Sequence, residues 1–255
     1  MDRWRSWIVQ LYSLCLEHGH HPSIFRRAEV VVIPKPHKDD LTDPANWRPI
    51  SLLTVIGKGL ERLFAKRFAF WALSNRIISP TQFGALPGRS AMDLVECLVH
   101  DVEKAWETKQ VCTLATLDIQ SAFDSIQPGR LRVRLREQGW PLPYVNWAAS
   151  FASCRKARLR VDDFVGDFLE IPHGLPQGSP ASPILFLLFL EPLFKLGFPT
   201  FGYVDDVAIL SVAKTLVDTS RLTTNNVGSI THWYGQNGLS LAENKTEIIH
   251  LHRSR

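Results

Sequence analysis

Long apolar runs are missing from this sequence. The longest uncharged apolar stretch covers residues 184–190 and is closed by Glu191-Pro192. That is far short of the ~18–20 residues a membrane-spanning helix needs, so no membrane partner is expected. Nor does the start read as a leader, because Arg3, Trp4 and Arg5 precede only a mixed segment. Cysteine is scarce: Cys15, Cys97, Cys112 and Cys154 form no CxxC pair and lie in apolar surroundings. They read as reduced core residues of an intracellular protein. There is no internal repeat and no low-complexity tract. A strong net charge is also absent, since 29 Lys and Arg against 25 Asp and Glu leave only +4. With 45% hydrophobic and 21% charged residues, the 255-residue chain is globular. It is long enough for one large domain or two intimate subdomains.

The mild net charge hides an asymmetry. Residues 128–160 hold eight basic residues against Glu137 alone, whereas residues 161–252 hold ten acidic against four basic. A basic zone followed by an acidic one suits a polyanion site next to a cation site, and equally suits ordinary solvated faces.

Periodicity predicts helices over 4–17 and 54–73, and another from Ser90-x-x-Asp93 through Trp106. A β-branched run at 29–33, stopped by Pro34 and Pro36, predicts a strand, followed by a polar loop over 37–48. Residues 111–117 form a second strand running straight into Asp118. Residues 130–136 alternate Arg with apolar residues, but Pro128 and Gly139 punctuate a helix, which is the reading preferred. Residues 156–161 and 164–172 predict a β-hairpin with Lys156, Arg158 and Arg160 on one face. A buried helix over 182–196, a strand over 203–210, a helix over 212–236 and a strand over 246–251 complete the chain. His18, His20 and His21 read as surface residues, and Trp47 and Trp140 as packing.

Two apolar strands carry aspartates. Asp118 ends one of them, and an unpaired carboxylate in such a place is costly unless it holds a charge partner or a metal. Asp205 and Asp206 interrupt the other. Neighbouring strand residues face opposite ways, so both can meet one site only across a tight bend at 204–206. A cluster with Asp118 would then suit Mg²⁺, and two ions could clamp a phosphoryl transfer. The same Asp-Asp pair is also what a plain turn looks like.

In order along the chain stand Val30-Val31-Val32-Ile33-Pro34-Lys35-Pro36, Trp47-Arg48-Pro49-Ile50-Ser51-Leu52-Leu53, and Gln82-Phe83-Gly84 with Gly88-Arg89-Ser90. The Asp118 strand follows, then Gly174-Leu175-Pro176-Gln177-Gly178-Ser179-Pro180, Tyr203-Val204-Asp205-Asp206, and Gly238-Leu239-Ser240-Leu241 with Lys245-Thr246. This ordered set resembles the reverse transcriptases of non-LTR, LINE-like retrotransposons. The resemblance implies an α+β right-hand polymerase, with fingers and an antiparallel palm sheet backed by helices. It places a helical extension at 1–28, fingers at 29–110 and palm at 111–255, with 128–172 completing the fingers–palm region. No thumb, endonuclease, ribonuclease H or Cys/His knuckle is read, so a fingers–palm fragment or a decayed copy is expected, weak or inactive on its own.

The resemblance implies an RNA-directed DNA polymerase adding dNTPs to a DNA primer 3′-OH on an RNA template. It would use two Mg²⁺ ions, with Mn²⁺ as a substitute, and its implied compartment is the nucleus. Asp118 and Asp205 would be the main metal ligands, with Asp206 more peripheral and Lys245 the proton donor to pyrophosphate. Lys35 and Arg48 would hold the triphosphate, Gln177 and Gly178 would pack on the nucleotide and template base, and Phe123 would crowd the sugar 2′ position. Lys156, Arg158 and Arg160 would contact nucleic acid. Simpler roles stay open: Lys35 and Lys245 as solvated charges, Gln177 as a turn cap, Phe123 as core. Two rival functions also stay open. One is an RNA-dependent RNA polymerase, which usually carries Asp where this chain has Phe123; the other is a non-catalytic nucleic-acid-binding remnant.

Overall fold

The structure, a computed structural model, describes residues 2–36 and 40–253. Part of the loop expected over 37–48 therefore lies outside the described residues. In chain order the elements are α1 (Asp2–Glu17), β1 (Arg27–Pro34), β2 (Trp47–Leu52), α2 (Val55–Ser74), β3 (Gln82–Phe83), α3 (Ala91–Glu107) and β4 (Val111–Leu117). Then come α4 (Pro128–Glu137), α5 (Leu142–Ala152), β5 (Arg155–Val161), β6 (Phe164–Val165), β7 (Leu169–Ile171) and α6 (Ser182–Leu190). The last are β8 (Thr200–Tyr203), β9 (Asp206–Ala213), α7 (Leu216–Asn237) and β10 (Glu247–Leu251). The class is α+β, as expected. No helix among the described residues is long and apolar enough to cross a membrane.

The chain forms two compact units. The first takes residues up to Arg67 and then Ile126–Leu185; the second takes Phe68–Ser125 and Phe186 onward.

In the first unit the strand order is β2-β1-β5-β6, with β7 also on β5. β1 runs antiparallel to β2, with Ile33 opposite Arg48, and parallel to β5, with Glu29 opposite Arg158. Pro49 is tolerated in β2 because that strand is at the sheet edge, where a missing N–H breaks no ladder. The period-2 pattern of α4 yields to helical burial. Leu131 and Leu135, four apart, are buried, while Val133 is 55% exposed. Pro128 sits in the helix's first turn, where its lack of an N–H is harmless. The core is aromatic: Phe64 of α2 stacks on Trp147 of α5 at 3.8 Å, and Trp147 on Phe151 at 5.1 Å.

In the second unit the order is β10-β4-β9-β8-β3. Four strands are antiparallel as expected, but β3 joins β8 in parallel. α3 begins with the capping box read from the sequence, Ser90 accepting from the Asp93 N–H and Asp93 from the Ser90 N–H. Its Leu98, Val102 and Ala105 belong to one apolar cluster with Leu114, Phe201 and Leu210. The alternate residues Thr113 and Ser211 point to α7 instead, and bond Thr219 at 2.7 Å and Thr223 at 2.9 Å. Period-2 strands thus put α3 and α7 on opposite faces of the sheet.

Several expectations change. Residues 203–210 are a hairpin rather than one strand, and β9 continues to Ala213, so α7 starts at Leu216. α6 ends at Leu190, and Glu191–Lys195 tighten into a 3-10 turn where Pro192 interrupts the α-helical ladder. α5, β2 and β3 carried no clear periodic signal. Only Cys15 and Cys112 are buried, while Cys97 and Cys154 are exposed. His21, expected at the surface, is wholly buried.

Candidate active site

β4 delivers Asp118 at its C-terminal end, where the ladder with β9 stops at Leu117 opposite Val207. β8 and β9 deliver Asp205 and Asp206. Tyr203 pairs with Asp206, leaving Val204 and Asp205 as a two-residue loop. This is the tight bend that the adjacent aspartates required. Its cost is visible in Val204, a β-branched residue at φ 58°. Such a conformation costs on the order of 1–3 kcal/mol and persists only where neighbours enforce it.

The Gly238-Leu239-Ser240-Leu241 segment places Lys245. Ile119 bridges to Leu241, Gln120 N–H donates to Ser240 O at 2.9 Å, and Ala242 N–H donates to Asp118 O at 2.9 Å. The following 3-10 turn, Glu243–Lys245, swings the Lys245 ammonium onto the Asp118 carboxylate. Lys245 stays 63% exposed and Asp118 22%. Burial, then the charges of Asp205 and Asp118, push the Asp206 pKa above the ordinary carboxylate value, and Lys245 opposes them. Asp118, Asp206 and Lys245 line a cleft of about 360 Å³ together with Thr116, Tyr203 and Leu94.

Among the described residues, no three His, Cys, Asp or Glu side chains are drawn together as a ready-made metal cage. The donor set still fits a hard divalent cation. It supplies carboxylate oxygens alone, and their mutual repulsion calls for more positive charge than one lysine brings. Asp118, Asp205 and Asp206 are the residues that would hold it.

Phe123 follows in the turn after Asp118. It is half-buried and stacks on the fully buried Phe186 at 5.0 Å. A ring fixed in this way can serve as a rigid wall or as packing.

The other candidates belong to the first unit. Lys35 and Arg48 lie on neighbouring strand ends. Lys35 is half-buried and donates from Nζ to Ala45 O at 2.8 Å, within its own hairpin, while Arg48 is exposed. Ser51 N–H donates to Gln177 O at 2.7 Å, which ties the Gln177-Gly178 loop to β2. At Gly178, φ is 119° and a Cβ would meet Ser51 O at 2.6 Å, so no other residue fits.

The next residue, Ser179, donates from Oγ to buried Glu61 at 2.7 Å. Glu61 and His21 are both fully buried, with Nε2 of His21 3.6 Å from the carboxylate. Arg155, 4% exposed, donates from Nη1 to Phe151 O at 3.4 Å, and its charge acts on both Glu61 and His21 without a direct ion pair to either. Burial, followed by the charges of Arg155 and Arg26, drives the His21 pKa down to about 3. Burial raises the pKa of Glu61, and its bond from Ser179 and the Arg155 charge pull it back.

Lys156, Arg158 and Arg160 share a face as expected, but each is ion-paired. Arg158 and Arg160 both grip Glu29, Arg160 at 3.2 Å, and Lys156 lies 3.7 Å from Glu170. Arg158 also covers the Phe168 ring at 4.8 Å. Glu29, Glu61 and His21 had no signal in the sequence, because Arg158 and Ser179, the partners of Glu29 and Glu61, lie more than 100 residues away and the rings of Trp147 and Phe151 that enclose His21 are equally distant. Gly84 and Arg89 stand in the ordered motif set without a role there.

A fold with carboxylates gathered at the ends of antiparallel strands defines a class of polymerase palms, and the comparisons identify which. The family model "Reverse transcriptase (RNA-dependent DNA polymerase)" matches residues 33–254. The chain belongs to the reverse transcriptase family, which generally uses divalent metals.

Its relatives include the probable RNA-directed DNA polymerase from transposon BS of Drosophila melanogaster, 27% identical over 89% of this chain and 26% of that protein. The RNA-directed DNA polymerase from the mobile element jockey of the same fly is 27% identical over 85% of this chain and 24% of its own length. The Pol polyprotein of the R1 element of Bradysia coprophila is 28% identical over 94% and 24%. The chain thus spans about a quarter of each of these relatives, and it groups with LINE-like elements. Among solved structures, telomerase from Candida tropicalis with a fragment of telomeric RNA matches at TM-score 0.64 and 10% identity. That match covers 98% of this chain and 45% of the telomerase chain. A form of the same enzyme truncated from its C-terminal domain matches at 0.62 and 10%, covering 91% and 52%.

Proposed function

We propose that this chain is the fingers–palm part of an RNA-directed DNA polymerase that extends a DNA primer with dNTPs on an RNA template. In this reading the second unit is palm and the first is chiefly fingers. The observation that supports it most is the left-handed Val204 turn, which presents Asp205 and Asp206 in the same neighbourhood as Asp118.

Asp118 and Asp205 hold the catalytic cations, with Asp206 alongside; Mg²⁺ is the ion of choice and Mn²⁺ a substitute. Bound there, the ions supply charge neutralisation at the attacking and leaving oxygens of the phosphoryl transfer. The protein's own contribution is positioning. Lys35 and Arg48 attract the triphosphate, for which the Arg fork is the better geometric match. The Gln177-Gly178 loop packs on the nucleotide and template base, and Phe123 walls the sugar. Lys245 balances the Asp118 charge and donates a proton to the departing pyrophosphate. Lys156, Arg158 and Arg160 meet nucleic-acid phosphates after exchanging Glu29 and Glu170 for them. Nuclear residence belongs to the same proposal.

The test is Asp205→Asn in an RNA-templated primer-extension assay at low ionic strength. Extension should fall by more than about 100-fold, since a neutral amide is a poor substitute for an anionic ligand. Near-wild-type extension by the variant would sink the metal assignment, whereas nucleic-acid binding by the wild type with no extension at all would favour a non-catalytic remnant.

A further inference from the structure

We propose that Arg89 is a positioning residue for the aspartate turn, acting through β3. The proposal rests on the reading of Asp205 and Asp206 as the cation-holding pair. Its motive is the strained Val204: something must force a β-branched residue into the left-handed region.

The forcing element is β3. Phe83 O accepts from the Val204 N–H at 3.2 Å, and Thr81 O from the Gly202 N–H at 2.9 Å. These bonds bracket the turn from one side. Gly84 closes the bracket, because a Cβ there would lie 2.8 Å from Val204 Cγ2 and 3.2 Å from the Tyr203 ring. β3 is only two residues long, and its pairing with β8 is a short parallel one at the sheet edge. Two residues of edge ladder are a weak anchor on their own.

Arg89 supplies the missing anchor. Its guanidinium donates from Nη1 to Ser79 O at 2.6 Å and to Gln82 O at 2.8 Å, and its own carbonyl accepts from the Gly84 N–H at 3.2 Å. One half-buried side chain thus closes the 79–89 loop on itself at both ends of β3. Two buried groups lock the same loop from behind. Glu191, 1% exposed, accepts from the Ser79 N–H at 2.9 Å, and the Gln82 amide donates to Leu187 O at 3.2 Å. The linkage therefore runs Arg89 to β3 to Val204 to Asp205 and Asp206, all within the second unit.

A lysine can place a positive charge here, but its ammonium rotates freely and lacks the two N–H bonds of Arg89 Nη1, which the planar guanidinium holds in fixed directions toward the two carbonyls. A glycine at 204, by contrast, adopts the left-handed region without strain and needs no enforcement.

The experiment compares Arg89→Ala, Arg89→Lys and the double variant Arg89→Ala/Val204→Gly. Two readouts are used: primer extension, and Mn²⁺ binding followed by the paramagnetic signal of the free ion. Arg89→Ala should lower kcat by about 100-fold, the loss typical of reacting groups displaced by an ångström, with the Kd for primer–template unchanged. It should also weaken Mn²⁺ binding. Val204→Gly should restore both in the double variant by about tenfold or more. Arg89→Lys, which circular dichroism should show to be folded, should keep the Mn²⁺ defect and so guard against simple misfolding of the alanine variant. The proposal is overturned if Arg89→Ala leaves Mn²⁺ affinity intact, or if it raises the primer–template Kd and glycine at 204 rescues nothing. Asp205→Asn serves as the separate control. If that change spares Mn²⁺ binding and extension, the metal reading fails whatever Arg89 does.

Discussion

Each unit sets a basic side chain near a carboxylate, and the two groupings have opposite characters. In the first unit, Glu61, Arg155 and His21 are sealed from water. In the second, Lys245 meets Asp118 with most of its side chain in solvent. A sealed pair has lost its hydration and depends on its partner for stability, so removing one member leaves an uncompensated charge. In the second pair the lysine is already solvated and screened, so its ammonium can let go at little cost, whereas Asp118, 22% exposed, keeps its need for a cation. The first arrangement suits a fixed support, here the anchor of Ser179 beside the Gln177-Gly178 loop. The second suits groups that must exchange partners during a reaction.

The sharpest way to break this contrast is to remove one charge from each pair. Glu61→Ala should destabilise the protein by about 3–5 kcal/mol, because the buried Arg155 charge loses a compensating anion and the buried Ser179 hydroxyl loses its acceptor. Lys245→Ala should change stability by less than about 1 kcal/mol while still impairing extension. Urea unfolding of both variants checks this, and similar losses in the two would erase the distinction.

A smaller effect should appear in the pH dependence. The folded pKa of His21 is depressed to about 3, below its ordinary 6.5. The unfolded chain therefore takes up a proton that the folded chain refuses. The stabilisation from neutral His21 is complete above pH 6.5 and is lost as pH falls toward about 3. Relative to His21→Leu, the wild type should lose up to about 1.4 kcal/mol per pH unit over that window. Glu61, whose folded pKa is raised, contributes with the opposite sign, so the comparison between variants matters more than either curve alone. Parallel curves would mean that His21 is solvated.

The smallest expected change concerns the open site. If Phe123 walls the sugar as proposed, Phe123→Val should relax discrimination against ribonucleotides by about 10- to 100-fold, since a smaller side chain leaves room for a 2′-OH. The ratio of kcat/KM for deoxy- and ribonucleotides measures it. An unchanged ratio, with lower stability, would assign Phe123 to packing on Phe186 alone.

The second unit was the more legible in sequence. Its strands alternate, its aspartates sit where strands end, and Ser90 and Asp93 cap α3 as their spacing predicts. The turn at Val204 was required once two adjacent aspartates were to share a site. In the first unit, the Arg-rich 130–136 segment has strand periodicity and is helical. Here Pro128 and the burial of Leu131 and Leu135 outweigh the alternation. The punctuation of that segment predicts the helix it forms, whereas His21 was misjudged. A histidine beside two others in a turn looks solvated until Phe25, Trp147 and Phe151 enclose it.

What the sequence determined by itself is local chemistry: which strands carry carboxylates, where chains must turn, and which ordered motifs mark a polymerase. These follow from periodicity, backbone freedom and charge, all properties of neighbouring residues. Tertiary structure alone decided the partners. Glu29 came to lie beside Arg158 and Arg160 because β1 and β5 pair in parallel across more than 100 residues. Lys245 came to Asp118 because the 238–242 segment lies along the backbone after β4. A side chain's charge is written in its own residue, but its pKa, its solvation and its freedom to act depend on neighbours that only the folded chain assembles.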